Sequence, residues 1–459
     1  MSRLSKFADG LAALSKLPTE ERVRVLELII PRTVVETVLR QTGHDRRNCT
    51  RLPPAFMAYF VVALGLFSGD SHRQVFKHLE RFRRGCTPER NTIAEARKGL
   101  GVAPMRLLAE QVVQLLGTPD TPGAFYKGWR LMAIDGFVVD LPDTPANERV
   151  FGRPNGGRAE GAFPQARVLA LCETGSHIFY RWQIKPLCRG EISMAAVLLR
   201  HLQPDMLLLW DRNFLSFKNV KAVKDQDAQL LARIKNGPVF EPTEVLPDGS
   251  YLSKIYPASW YRERDRGGIE VRIIEYKLEG TGHAEEGKVH RLLTTLLDAE
   301  KYPAEELIIL YHERWEEELA IDELKTHLKE KPELRSKTPA GVVQEIEGLL
   351  LAHYVVRKVM HQAAGREGLD PQRLSFVATL KILRCRLPEA PKNGNNKVAQ
   401  KQWWEALLAE VGEEVLPERQ PRVNPRVIKR KMSKWQKKRP CHRKPPQPTR
   451  PFRECILIT

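Results

Sequence analysis

Tyr311-His-Glu-Arg-Trp-Glu-Glu-Glu-Leu-Ala-Ile-Asp-Glu-Leu-Lys325 is the stretch on which the reading of this chain turns. It lies within a run of apolar residues at three- and four-residue spacing that predicts one long helix over Ala304–Lys329. At about 100° per residue, Tyr311, Arg314, Glu318, Asp322 and Lys325 project within an arc of about 80°. Leu310, Leu324 and Leu328 fall beside that arc and would bury its edge against a sheet. An ordinary solvated face with Arg314–Glu318 and Asp322–Lys325 ion pairs gives the same pattern. What sets this ridge apart is an aromatic, an arginine, a glutamate and a lysine on one stripe.

Two further acids follow apolar runs. Asp135 stands in Leu131-Met-Ala-Ile-Asp-Gly136, and Asp211 follows Leu207-Leu-Leu-Trp210. Each is expected at the tip of a buried strand, where a carboxylate must be paired, hydrogen-bonded or bound to a metal. The plainer reading of each is a capping Asp at a strand-to-loop junction. Together, carboxylates from a first strand, a fourth strand and a later helix supply the hard oxygen ligands that suit a pair of magnesium ions. Arg and Lys on the helical ridge would hold phosphate, one by a bidentate fork and the other as a point charge.

Outward from these residues, 459 positions give room for roughly two or three domains. Residues 1–118 read as helical throughout, with repeats of apolar spacing at Pro18 to Ile30, Pro31 to Gln41, Pro53 to Phe67, Ser71 to Arg83 and Asn91 to Gly99. The last two, joined near Gly85, allow a helix-turn-helix bearing Arg90, Arg97 and Lys98; two packed helices with a solvated basic face fit equally well. A turn-rich hinge, Gly117–Gly123, precedes strands, and the order to Trp210 reads β-β-β-α-β with a hairpin across Thr174-Gly175-Ser176. Short β-like runs broken by Gly and Pro occupy about 228–297, and helical stretches follow to 418.

Charge is concentrated at the end of the chain. Of the 74 Lys+Arg, 14 lie in 419–459 with a single acid, so +13 of the net +18 sits in a Pro-rich tail. That asymmetry points to a polyanion, most often nucleic acid; a solvated tail that merely aids solubility is the alternative. The longest apolar run, Ala55–Phe67, is too short to cross a bilayer, and Met1–Lys16 carries no readable secretory signal, so a soluble, cytoplasmic protein is expected. Seven scattered cysteines without a C-x-x-C pair suggest neither a disulfide framework nor a structural zinc site. No phosphate-cradling G-x-x-x-x-G-K-[ST] loop occurs, and the twelve histidines form no ligand-spaced cluster.

Tyr311, Arg314, Glu318 and Lys325 match without change the Y-x2-R-x3-E-x6-K signature, and by this the chain resembles the DDE transposases of the insertion-element-four family. Asp135 in Ile-Asp-Gly, with Leu141-Pro-Asp-Thr144 downstream, resembles that family's first catalytic motif, and Asp211-Arg-Asn-Phe214 the second. Leu334-Arg-Ser-Lys-Thr-Pro339, Arg51-Leu-Pro53 to Leu79, and Asn424–Lys431 are similar too, so the likeness spans nearly the whole chain.

The resemblance implies an α/β fold: a ribonuclease-H-like catalytic core over 124–365 with its β-rich insertion at about 228–297. It further implies an all-helical N-terminal DNA-binding domain over 1–118, a helical C-terminal region over 366–418 and a basic tail over 419–459. Asp135, Asp211 and Glu318 would be catalytic and would ligate two Mg2+ ions, with Mn2+ able to substitute; Tyr311, Arg314 and Lys325 would contact DNA. The implied activity is cut-and-paste transposition of an insertion sequence, acting on the element's terminal inverted repeats and a target in the bacterial cytoplasm. A homodimer would pair the two ends. The rival readings are a non-catalytic DNA-binding relative and a structure-selective nuclease on the same fold. Arg212-Asn213 replaces the commoner Arg-Gly after the second Asp, and Phe137 the usual Thr or Ser after the first Asp-Gly. His290 stands where some relatives carry a Trp that stacks on a flipped base, with Trp260 as a substitute from the insertion.

Overall fold

The computed structural model describes residues 24–45, 52–79, 87–154, 161–235, 237–279, 287–391, 397–417 and 452–459. The expected helix start at Pro18, the turn near Gly85, and the basic tail with Trp435 up to residue 451 lie outside them. The chain forms two units: one comprises 1–125, 136–190 and 316–416, the other 126–135, 191–315 and 417–459.

In chain order the helices before the first strand are α1 (Arg24–Glu27), α2 (Arg32–Gln41), α3 (Pro54–Leu66), α4 (His72–Leu79), α5 (Arg90–Leu100) and α6 (Ala103–Val112). Then come β1 (Phe125–Tyr126), β2 (Trp129–Asp140), α7 (Pro145–Phe151), β3 (Gln165–Glu173), β4 (Ile178–Pro186), α8 (Glu191–Leu198), β5 (Met206–Trp210), α9 (Phe217–Lys224) and β6 (Gln229–Arg233). The strands β7 (Glu244–Val245), β8 (Tyr251–Ile255), β9 (Ile269–Leu278) and β10 (His290–Thr294) follow, with α10 (Ser259–Glu263) between β8 and β9. The chain closes with α11 (Ala304–Glu313), α12 (Trp315–Asp322), α13 (Pro339–Glu367), α14 (Phe376–Arg386), α15 (Lys397–Gly412) and β11 (Ile456–Ile458). The strands and the helix of the expected β-β-β-α-β order are present, but α7 stands between the first two of those strands, β2 and β3, so the order is β-α-β-β-α-β.

The first unit is built around two helices. Every residue of α3 from Phe56 to Leu66 is buried, because the helix is apolar all round rather than on one stripe. The run that was too short for a bilayer is thus a central core helix, and no described helix is long and apolar enough to cross a membrane. Its partner α13 starts where Thr338 accepts from the Gly341 amide ahead of Pro339, and stops at Gly368 in the left-handed region, φ +65°. The two approach closely at Gly65 and Gly348: a Cβ on Gly348 would stand 2.4 Å from the Val61 carbonyl oxygen, and one on Gly65 2.6 Å from that of Gly348. Within this unit β3 and β4 form the antiparallel hairpin, Ala166 opposite Pro186 and Glu173 opposite Ile178, in the order β4-β3-β2.

Arg97 departs from the basic face of the helix-turn-helix reading. Arg90 and Lys98 are exposed, whereas Arg97 is buried and donates to Gln344 Oε1 at 3.2 Å, Ser336 Oγ at 3.3 Å and the Gly341 carbonyl at 3.1 Å. The acceptors that hold it come from distant sequence, so local spacing gave no warning.

In the second unit the order is β2-β5-β6-β10-β9-β8-β7, with β11 on β9. The pairs β2–β5 and β5–β6 are parallel; β6–β10, β10–β9, β9–β8 and β8–β7 are antiparallel. The β-rich stretch therefore continues the sheet instead of forming a separate layer. Parallel strands joined through helices in the second unit and an antiparallel hairpin in the first are the parts of a mixed α/β, ribonuclease-H-like fold.

Because a Gly348 methyl would strike the backbone carbonyl of Val61 in α3 as well as its side chain, Gly348→Ala should destabilise the protein by about 2 kcal/mol or more, read by urea denaturation. Glu347 next to it is 2% exposed; burial pushes its carboxyl up to about 7, although Trp182 Nε1 donates to it at 2.8 Å. The folded protein thus keeps a proton that the unfolded chain, with its ordinary carboxyl near 4.5, releases, so stability falls as pH rises from 4.5 through about 7. Glu347→Gln removes that loss, and the excess of the variant's melting temperature over wild type should widen between about pH 5 and about pH 8.

Candidate active site

The geometry begins with backbone pairing. In the second unit β2 and β5 run parallel, with Arg130 beside Met206 and Ile134 beside Trp210. One residue on, Asp135 and Asp211 leave neighbouring strands, which lie about 4.8 Å apart in a sheet. Asp135 is not at a strand tip as the sequence suggested. The strand runs on to Asp140 because Phe137 and Val139 alternate as buried residues with half-buried neighbours; it is β5 that ends, at Trp210. Both carboxylates are partly exposed, and Asp211 Oδ1 accepts from the Arg212 amide at 2.7 Å.

Helix α11 is fixed to this sheet at both ends. At its start Asp248 Oδ2 accepts from the Ala304 amide at 2.9 Å and pairs with Arg272, a fully buried guanidinium that also donates to the Tyr302 carbonyl at 2.7 Å. Burial opposes ionisation of Asp248, but the Ser250 hydroxyl, the Ala304 amide and Arg272 outweigh it and hold the carboxyl below its ordinary value. Glu306, one turn in, accepts from Tyr126 at 2.8 Å and from Lys127 at 2.7 Å. Near the helix end Tyr311, 7% exposed, donates its hydroxyl to the Trp210 carbonyl at 3.4 Å, the peptide immediately before Asp211. Burial, reinforced by the Asp211 charge and opposed by Arg314 and Arg233, pushes the Tyr311 hydroxyl up to about 12. The Arg314 guanidinium lies 5.9 Å from the Tyr311 ring centre.

Four of the six residues singled out in the sequence are accordingly brought to one end of the second unit's sheet: Asp135, Asp211, Tyr311 and Arg314. Glu318 and Lys325 belong to the first unit, both half-buried. The single long helix over Ala304–Lys329 is not what forms. The chain makes a tight turn at Arg314, whose amide bonds the Tyr311 carbonyl at 3.2 Å, resumes as α12, and widens into a π-helical turn over Glu323–Leu328. A π turn carries an additional residue, so regular helical spacing no longer places Lys325. A cluster that the sequence did not reveal, Glu323 with His177, His353 and Arg357, lies at that widening in the first unit.

Among the described residues no group of three or more His, Cys, Asp or Glu side chains is gathered to hold a metal ion. The donor pair on the second unit nevertheless has the right chemistry for a hard divalent cation, two partly exposed carboxylates on adjacent strands. His290 is a sheet residue: it is 6% exposed, its ring centre lies 5.2 Å from that of Tyr276, and Arg233 Nη2 stands 3.0 Å from its Nδ1. Trp260 is exposed on α10, with the Arg264 guanidinium 4.1 Å from its ring centre.

Residues 20–110 match the family described as insertion element 4 transposase N-terminal, and residues 127–355 match the transposase DDE domain. The chain belongs to the insertion element 4 family of DDE transposases. It is 27% identical over 412 residues to the transposase InsG for insertion sequence element IS4 of Escherichia coli (strain K12), a match covering 88% of this chain and 91% of that protein. A cryo-EM structure of the piggyBac transposase synaptic complex with hairpin DNA is similar at a TM-score of 0.42 and 11% identity, over 86% of this chain and 85% of that one. All six residues of the helical and strand motifs lie within the span matched to the DDE domain of this transposase.

Removing Asp248 would leave the buried Arg272 charge uncompensated and free the start of α11. Asp248→Ala should therefore cost about 3 kcal/mol of stability, measurable by chemical denaturation, because a lone buried charge is far worse than none.

Proposed function

We propose that this transposase cuts and joins DNA by two-metal chemistry, with Asp135, Asp211 and Glu318 as the carboxylates that hold Mg2+. The observation that carries this reading is the pairing of β2 with β5, which delivers Asp135 and Asp211 to adjacent positions. Two carboxylates held so close repel each other unless a cation lies between them, and a non-catalytic DNA-binding protein gains nothing from the arrangement. When bound, the two ions supply charge that activates the attacking oxygen and stabilises the leaving one.

The chain's own residues do the rest. Arg314 and Lys325 bind phosphates of the element's end, and Tyr311, itself buried, orients the strand end through its bond to the Trp210 carbonyl. Water attacks a phosphodiester at the terminal inverted repeat, and the freed 3′-hydroxyl then attacks the opposite strand or the target. The helical N-terminal region recognises the end, the basic C-terminal segment adds phosphate contacts, and a homodimer pairs two ends in the cytoplasm of a bacterium, at the nucleoid.

Asp211→Ala should lower Mg2+-dependent cleavage of labelled terminal DNA by about a thousand-fold or more while leaving salt-sensitive binding intact. Cleavage that persisted would remove the catalytic reading. In the same assay strand-transfer products support transposition, and hydrolysis alone would assign a nuclease.

A further inference from the structure

The first unit buries a set of charges that the proposed chemistry does not use. Glu323, where the π turn begins, accepts from Arg357 Nε at 2.8 Å and from the second arm of the same guanidinium, and its Oε2 lies 3.1 Å from His353 Nε2. His177, on the β3–β4 turn, stands with Nε2 3.0 Å from Glu316 Oε2 and with Nδ1 against the Arg357–Glu323 pair, 3.1 Å from Glu323 Oε1 and in contact with the Arg357 guanidinium. Both histidines are fully buried. Burial alone would raise the Glu323 carboxyl, yet Arg357 and His177 hold it well below the usual carboxylate range. Glu323 is therefore ionised beside the Arg357 guanidinium in the folded protein.

Two features make His177 more than a packed side chain. Its backbone is left-handed, φ +58°, a conformation that costs a non-glycine residue on the order of 1 kcal/mol and persists where the surroundings over-determine it. Its ring also touches two carboxylates on either side of Glu318. Glu316 and Glu323 are seven residues apart and share one helical face, whereas Glu318 is about 200° round from Glu316 and faces away.

We propose that His177 is a positioning residue for Glu318: by gripping Glu316 and Glu323 on one imidazole it fixes the rotation of α12 about its axis, and so the direction in which the Glu318 carboxylate is presented. A rotation of only about 20° moves a group about 6 Å from a helix axis by about 2 Å. That exceeds the roughly 0.5 Å within which a reactive constellation must be held. Arg357 and His353 anchor Glu323 from α13, which makes the clamp rigid. The inference rests on the reading of Glu318 as a metal ligand.

The test uses the full-length protein with terminal DNA. His177→Ala should raise the half-saturating Mg2+ concentration for cleavage by about ten-fold or more, with DNA affinity unchanged within about two-fold. Mn2+ binding to the protein–DNA complex, followed by electron paramagnetic resonance, should weaken by a similar factor. Unchanged metal dependence and unchanged Mn2+ affinity in His177→Ala overturn the proposal. If that variant does not fold, Glu316→Ala against Glu316→Gln decides: Gln keeps an acceptor for Nε2 and should stay near wild type, Ala should shift the metal curve, and two wild-type curves overturn the proposal. Glu318→Ala in the same assay separates the layers. Persistent cleavage there defeats the metal-ligand reading and the clamp with it, while lost cleavage beside an unaffected His177→Ala defeats the clamp alone.

Discussion

Parallel pairing of two strands places chosen residues side by side through backbone hydrogen bonds alone, whatever the side chains prefer. Here that pairing runs from Arg130 beside Met206 to Ile134 beside Trp210, and it delivers Asp135 and Asp211 as neighbours at the point where β5 stops. Like charges this close are unfavourable in an apolar setting. The sheet can impose them because its stability comes from Leu131, Ala133, Leu207 and Leu209, buried in one apolar cluster with Tyr311. The backbone pairing that sets the two acids side by side is thus supported by apolar packing beneath it.

Within each unit, much of the remaining structure serves to hold helices in place. In the second unit, Asp248 ties the start of α11 to the sheet and the Tyr311 hydroxyl ties its end to the Trp210 carbonyl. In the first, the close approach at Gly65 and Gly348 locks α3 against α13, and α13 in turn carries Arg357 and His353 to Glu323. Buried charges recur wherever a helix must be held in one rotation: Arg97 with Gln344, Arg335 with Glu345, Arg357 with Glu323. Each is a partner set whose loss would leave a charge stranded in the core, so each resists slippage more firmly than an apolar contact that can be remade one turn away.

Much of the candidate site was legible in the sequence because its signals are local. A carboxylate after four apolar residues identifies Asp135 and Asp211 without reference to any partner, and fixed spacing identifies Tyr311, Arg314, Glu318 and Lys325. The strands and helix of the β-β-β-α-β reading were legible for the same reason, since alternation and turn residues act over a few positions. What failed was the assumption of regular helical spacing across Ala304–Lys329. The π turn at Glu323 is held by His177, His353 and Arg357, residues far away in the chain, and a helical wheel contains none of them. Arg97 illustrates the same limit, for an arginine on an amphipathic helix looks exposed until its buried acceptors are known.

The sequence by itself determined the α/β class, the helical N-terminal region and the family signature, because each depends on composition or on spacing within one element. Only the tertiary structure decided that β2 continues beyond Asp135, that His290 is packed into the sheet, and that His177, Glu316, Glu323, His353 and Arg357 meet in one buried cluster. Those outcomes depend on which distant segments share a desolvated space, where an unpaired polar group is costly and a paired one is fixed in place. Pattern along a chain does not encode that sharing; packing does.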